Sequence, residues 1–275
     1  PQSLPVNTAF STYPNAVWGA RLRVDPTPEW FAMAGIYQAT QIDLYEGHGL
    51  NWSMNNSDGV TMVGQVGWTP EFFKKPVATS KAPSDGKSAV SRKSLSEGKT
   101  FKEPVDSEMR GLPGHYWFGM YFSPWDYAQF GSNETAINSY GFYWHADQMI
   151  WQETPGSDQG LTLWSAFVLS PQQNISKLPF QANAGIVYRG LVPTRNQDIT
   201  MLGMAYGNFS DDYADTVSQT GAGSPSYELA LEAGYRFQIT KFAYVQPNLQ
   251  WIINPGGTGN IPNALVLGAQ MSVSF

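Results

Sequence analysis

Hydrophobic and polar residues alternate with a period of two over most of this chain, which marks strands rather than helices. Eleven segments carry the alternation: 17–24, 30–39, 59–68, 114–123, 139–153, 160–169, 179–189, 198–208, 227–238, 242–253 and 264–275. Most run nine to twelve residues. Strands of soluble domains are usually ~5–6 residues long, whereas a strand that crosses a bilayer needs ~9–11. The predicted fold class is therefore all-β, a transmembrane antiparallel β-barrel with about eleven strands in this chain.

The faces separate cleanly. In 227–238, Tyr227, Leu229, Leu231, Ala233, Tyr235 and Phe237 stand opposite Glu228, Ala230, Glu232, Gly234, Arg236 and Gln238. In 264–275, Leu265, Leu267, Ala269, Met271, Val273 and Phe275 stand opposite Ala264, Val266, Gly268, Gln270, Ser272 and Ser274. Segment 179–189 sets Gln181, Asn183, Gly185 and Arg189 against Ala182, Ala184, Ile186 and Tyr188. Trp18, Trp30, Trp68, Trp151 and Trp251 fall near strand ends, as in the aromatic girdles of outer-membrane barrels.

Connections are short on one side (DPTPE, TPGSDQ, LVPTRNQD, ITK) and mostly long on the other, notably 40–58, 209–226 and NPGGTGNIPN. That asymmetry suits periplasmic turns and extracellular loops. Segment 70–113 breaks it, being long on the short-turn side. Between Lys74 and Arg110 lie nine of the sixteen basic residues and five of the twenty-two acidic ones, about +4 against -10 for the remainder. It reads as a basic, flexible insert. Its basic residues lack interleaved aromatics, which argues against nucleic acid. If Phe275 ends a strand on the periplasmic side, segment 17–24 starts outside. A barrel with an even strand count then lacks an odd number of strands upstream.

Composition narrows the class. Charged residues make up 14% of the 275 and aromatics another 14%, with mean hydropathy -0.30. No run of ~20 apolar residues offers a membrane helix. The start, PQSLPVNTAF, has no basic region or apolar stretch of a signal peptide. It also lacks Met, and reads as a processed or truncated chain. With no cysteine, thiol chemistry and zinc-thiolate sites are excluded.

Several runs resemble the carbohydrate-selective porins (OprB type) of Gram-negative outer membranes. They are Trp18-Gly19-Ala20-Arg21-Leu22-Arg23-Val24 with Pro26, Trp30 and Gly35-Ile36-Tyr37; Leu112-Pro113-Gly114; Tyr227-Glu228 with Glu232, Tyr235 and Arg236; and the final hairpin from Gln246 to Gly257. Phe275 resembles the end signal read by the barrel-insertion machinery. The resemblance implies a sixteen-stranded barrel with about five strands absent here. It also implies one outer-membrane porin domain over 1–275, and passive diffusion of glucose-like mono- and small oligosaccharides. The segment 74–110 is longer than the family pattern.

Such a pore selects by width, hydrogen-bonding groups and charge. The residues placed in the lumen are Arg21 and Arg23; His145, Asp147 and Trp151; Gln181, Asn183 and Arg189; Glu228, Glu232 and Arg236; and Gln246, Asn248 and Gln250. Amides, carboxylates and guanidinium groups suit sugar hydroxyls, and aromatic rings suit the C–H faces. Facing arginines and carboxylates are expected to pair and brace the wall. The expected partners are the sugars, outer-membrane lipids and lipopolysaccharide, with a second copy or another envelope protein as further candidates through 74–110. No cofactor or metal is expected, since His48 and His115 look isolated from His145 and Asp147. No hydrolase, P-loop or dinucleotide motif is present. Glu228 and Glu232 lie ~13 Å apart along a strand, beyond the ~5–9.5 Å of glycosidase pairs. Two other readings compete: a soluble β-rich carbohydrate-binding or hydrolysing domain, and a barrel serving as an assembly element.

Overall fold

The structure, a computed structural model, describes residues 17–39, 59–78 and 107–274. The strands in chain order are β1 (Gly19–Thr27), β2 (Trp30–Gln38), β3 (Val60–Trp68), β4 (Glu71–Ala78), β5 (Ser107–Ser123), β6 (Tyr127–Ala128), β7 (Thr135–Ala136), β8 (Ser139–Gln152), β9 (Gly160–Leu169), β10 (Phe180–Arg189), β11 (Ile199–Asn208), β12 (Tyr227–Thr240), β13 (Ala243–Ile253) and β14 (Ala264–Val273). A helix, α1 (Asp211–Gln219), lies between β11 and β12. Twelve strands form one antiparallel sheet in the order β1-β2-β3-β5-β8-β9-β10-β11-β12-β13-β14, with β4 added alongside β5. The eleven strands predicted from alternation are all present. β1 and β14 remain the sheet's edges among the described residues.

Register fixes the faces, because a one-residue slip would exchange them. One register row reads His115, Asp147, Trp164, Gly185, Gly203, Glu232, Gln250 and Val266 from β5 to β14. Rows through Arg21 and Arg23 join the same face across β2, β3 and β5. The opposite face is apolar: Leu22, Ile36, Met120, Leu163, Ile186, Leu202, Leu231, Phe237 and Leu267 all stay exposed, Leu267 at 81%. Leu231 and Phe237 are not packed into a central core. The residues with least exposure lie mostly on the mixed, polar face and at its loop end, among them Tyr121, Val168, Gln181 and Asn183. A soluble sandwich would reverse this.

Aromatic rings border the apolar face. Trp30 stacks on Trp68 at 5.6 Å, and Trp68 meets Tyr116 at 5.7 Å, near the short-turn ends. Toward the loop ends, Trp144, Phe167, Phe180, Tyr206 and Tyr227 form a chain of neighbouring rings.

Two expectations need correction. Residues 70–113 are not a loop throughout: Glu71–Ala78 pairs with Ser107–Pro113, with a register shift between Phe72 and Lys75 where Phe73 takes φ 55°. The alternation is weak there, so the ladder escaped notice; residues 79–106 lie outside the described residues. The segment 209–226 contains α1. Ser210 accepts a hydrogen bond from the Tyr213 backbone N–H at 3.0 Å, and Asp211 and Asp212 occupy the first turn. An N-cap serine followed by two acids is a helix start signal.

On the short-turn side, Asp198 fastens the β10–β11 turn to β12. Its carboxylate accepts from Arg195 Nε at 2.7 Å, Arg195 Nη2 at 2.9 Å, the Tyr235 hydroxyl at 2.8 Å and the Gln238 backbone N–H at 2.9 Å.

Candidate functional site: the polar face of the sheet

Thirteen of the fourteen residues assigned to the lumen share the polar face by register. Trp151 does not. A bulge between Met149 and Trp151 pairs Trp151 with Leu161 on the apolar face, where its ring lies 5.8 Å from Tyr188. Strict alternation cannot see an extra residue in one strand.

The charged groups brace the wall differently from expectation. Glu232 is held by amides, Asn248 Nδ2 at 2.9 Å and Gln250 Nε2 at 3.1 Å. Arg236 donates to Gln246 Oε1 at 2.9 Å and lies 4.2 Å above the Tyr244 ring. No ion pair joins Glu232 to Arg236 among the described residues, because four residues along a strand span ~13 Å. Glu228 accepts from the Gly256 backbone N–H at 2.6 Å and holds the β13–β14 loop. Arg189 pairs with Asp158, across the short-turn rim.

His115 is not isolated. Its Nδ1 lies 2.7 Å from Asp147 Oδ1, and His145 Nε2 lies 3.1 Å from Oδ2 of the same carboxylate. His145 also stacks on Trp117 at 4.0 Å and 9°. Cross-strand register brings together residues far apart in sequence. His48 and Trp52 lie outside the described residues. Trp125 folds onto Gly59. Among the described residues no group of three or more His, Asp or Glu is arranged to hold a metal.

Sequence reasoning missed Trp164. It stands in the row between Asp147 and Gly185. A Cβ on Gly185 would come within 2.9 Å of its Nε1, and one on Gly203 within 3.5 Å of its Cζ2. The indole therefore spreads over two glycines of the neighbouring strands. Tyr143 does the same over Gly119, and its hydroxyl donates to Gln65 Oε1 at 2.9 Å. The glycines noted on the polar face thus make room for flat rings. A cavity of about 400 Å³ opens beside this row, with His115, Asp147, Met149 and Thr162 in its lining.

The arrangement offers hydrogen-bonding groups, mixed charge and ring faces along one continuous surface.

Comparison with known proteins agrees with this geometry. The chain is 24% identical over 276 residues to Porin B of Pseudomonas aeruginosa, covering 96% of this chain and 56% of that protein. It is 21% identical to the putative porin QuiX of Acinetobacter baylyi, over 98% of this chain and 58% of that one. The chain thus spans a little over half the length of these relatives. The high-pH structure of Pseudomonas putida OprB superposes with a TM-score of 0.76 at 22% identity, covering 96% of this chain and 60% of that one. The low-pH structure gives 0.55 at 20%, over 94% and 55%. These superpositions establish the shared fold. The family model described as carbohydrate-selective porin, OprB family, matches residues 1–275, and the chain belongs to that family.

Proposed function

We propose that this chain forms part of the wall of a Gram-negative outer-membrane porin that passes glucose-like mono- and small oligosaccharides by passive diffusion. The observation that carries the reading is the unbroken register of polar groups and flat rings on one face, backed by an apolar, aromatic-bordered opposite face. Strands pairing with the edges that β1 and β14 present among the described residues would close the barrel, since unpaired backbone groups are not tolerated in lipid. The apolar face would meet lipid and the acyl chains of lipopolysaccharide. Family membership supports transport over catalysis.

Solute binding in such a pore must be weak enough to permit exit. The test is planar-bilayer conductance of the purified protein in graded glucose. Saturable, sugar-dependent reduction of the ion current is the expected result; a sugar-independent current would overturn the reading. The basic segment 74–110 is proposed as a contact for a second copy or another envelope protein. Co-purification that disappears on its deletion would support this.

A further inference from the structure

We infer that Trp164 is a sugar-stacking platform on the polar face, with Asn183, its diagonal neighbour on β10, as a hydrogen-bonding partner beside it. This deepens the sugar-porin reading and rests on it. Three observations carry it. First, the indole covers Gly185 and Gly203, so its ring has no protruding side chain beneath it from those two positions. Second, its N–H has no hydrogen-bond partner among the described residues, leaving a donor at the ring edge. Third, Asn183, two residues before Gly185 on the same face of β10, is only 3% exposed and leaves its Nδ2 without a partner.

A buried amide atom left unanswered is costly. A hydroxylated guest seated on the indole would offer an acceptor to Asn183 Nδ2. Pyranose rings present an apolar C–H face and an edge of hydroxyls, so the indole face and the Asn183 amide address different parts of one molecule. Asp147 and Glu232 bracket the platform along the register row, with Asp147 on β8 and Glu232 on β12. Both carboxylates are already hydrogen-bonded to their neighbours. They therefore bound the site and leave the neutral groups to bind the guest. The ligand class is a neutral pyranose, not a sugar phosphate.

The test is glucose-dependent current block in planar bilayers, with the folded barrel verified by heat-modifiable gel mobility. Trp164→Ala should weaken the apparent sugar affinity roughly tenfold, equivalent to ~1.4 kcal/mol, while the sugar-free conductance is retained. Trp164→Phe should recover most of the affinity. Gly203→Leu keeps the tryptophan but pushes its ring off the wall, and should weaken block as Trp164→Ala does. Wild-type affinity in Trp164→Ala and Gly203→Leu would overturn the proposal. If Trp164→Ala does not assemble, ¹⁹F spectra of 5-fluorotryptophan protein decide. The resonance missing from Trp164→Phe must shift with glucose, and a resonance indifferent to glucose overturns the assignment. Absence of block in the wild type would instead defeat the porin reading itself.

Discussion

Arg21 and Arg23 stand two residues apart on one face of β1, yet their charges are differently matched. Arg23 Nη2 lies 2.6 Å from Asp25 Oδ1, and its guanidinium sits 4.2 Å over the Phe31 ring. Arg21 makes no ion pair among the described residues. The free charge should dominate the local field. Arg21→Ala should therefore shift ion selectivity toward cations by severalfold, and Arg23→Ala by much less. Reversal potentials in a salt gradient measure both, and equal shifts would contradict this assignment.

Leu231 and Ala230 adjoin on β12 but face opposite ways. Leu231 pairs with Met204 and Trp251, and Ala230 with Ala205 and Ile252. An arginine on the lipid face costs ~2–4 kcal/mol near the midplane. Leu231→Arg should reduce refolding into lipid vesicles by about that amount, and Ala230→Arg should refold nearly normally. Urea titrations in vesicles would show it, and matching losses would argue against lipid at that face.

Asp198 is 2% exposed. Burial works against its charge, but the donors from Arg195, Gln238 and Tyr235 outweigh it, so its carboxyl is held below the ordinary carboxylate range. Its stabilisation is complete above the unfolded value, ~3.9, and disappears as pH falls through the lower folded value. Asp198→Ala should destabilise by about 1–3 kcal/mol by stranding the donors. It should also remove this part of the acid sensitivity below about pH 4. The temperature at which gel mobility changes, recorded at pH 7 and pH 3, tests both effects.

Gly119 lies beneath the Tyr143 ring. Gly119→Ala should displace that ring and break its bond to Gln65, at ~1–3 kcal/mol for an overpacked site. Gly64, whose added Cβ would meet open space, should accept alanine with little effect. Parallel urea melts compare the two, and equal midpoints would show that Tyr143 yields freely.

Strand number and facing were legible because period two persists in segments such as 227–238, where every second residue is apolar. Trp151 was misplaced because the bulge before it follows from cross-strand pairing, which one strand's sequence does not specify. β4 was hidden by Lys74, Lys75 and Pro76, which blur the alternation. The start of α1 was readable at Ser210, but Tyr213 and Ala214 give only a short helical pattern. His115 and Trp164 escaped for a shared reason. Their neighbours, Asp147 for one and Gly185 and Gly203 for the other, become adjacent only through register.

β5 continues for 17 residues, well past its pairing with β3, and its outer part is clamped to β4 until Ala78 meets Ser107. Paired chains in a sheet sit ~4.8 Å apart. The two ends of the basic segment are thus already side by side, so a short turn between Ala78 and Ser107 would span them without moving the ladder. Replacing 79–106 by Asn-Gly should leave conductance intact, making this hairpin a natural grafting port.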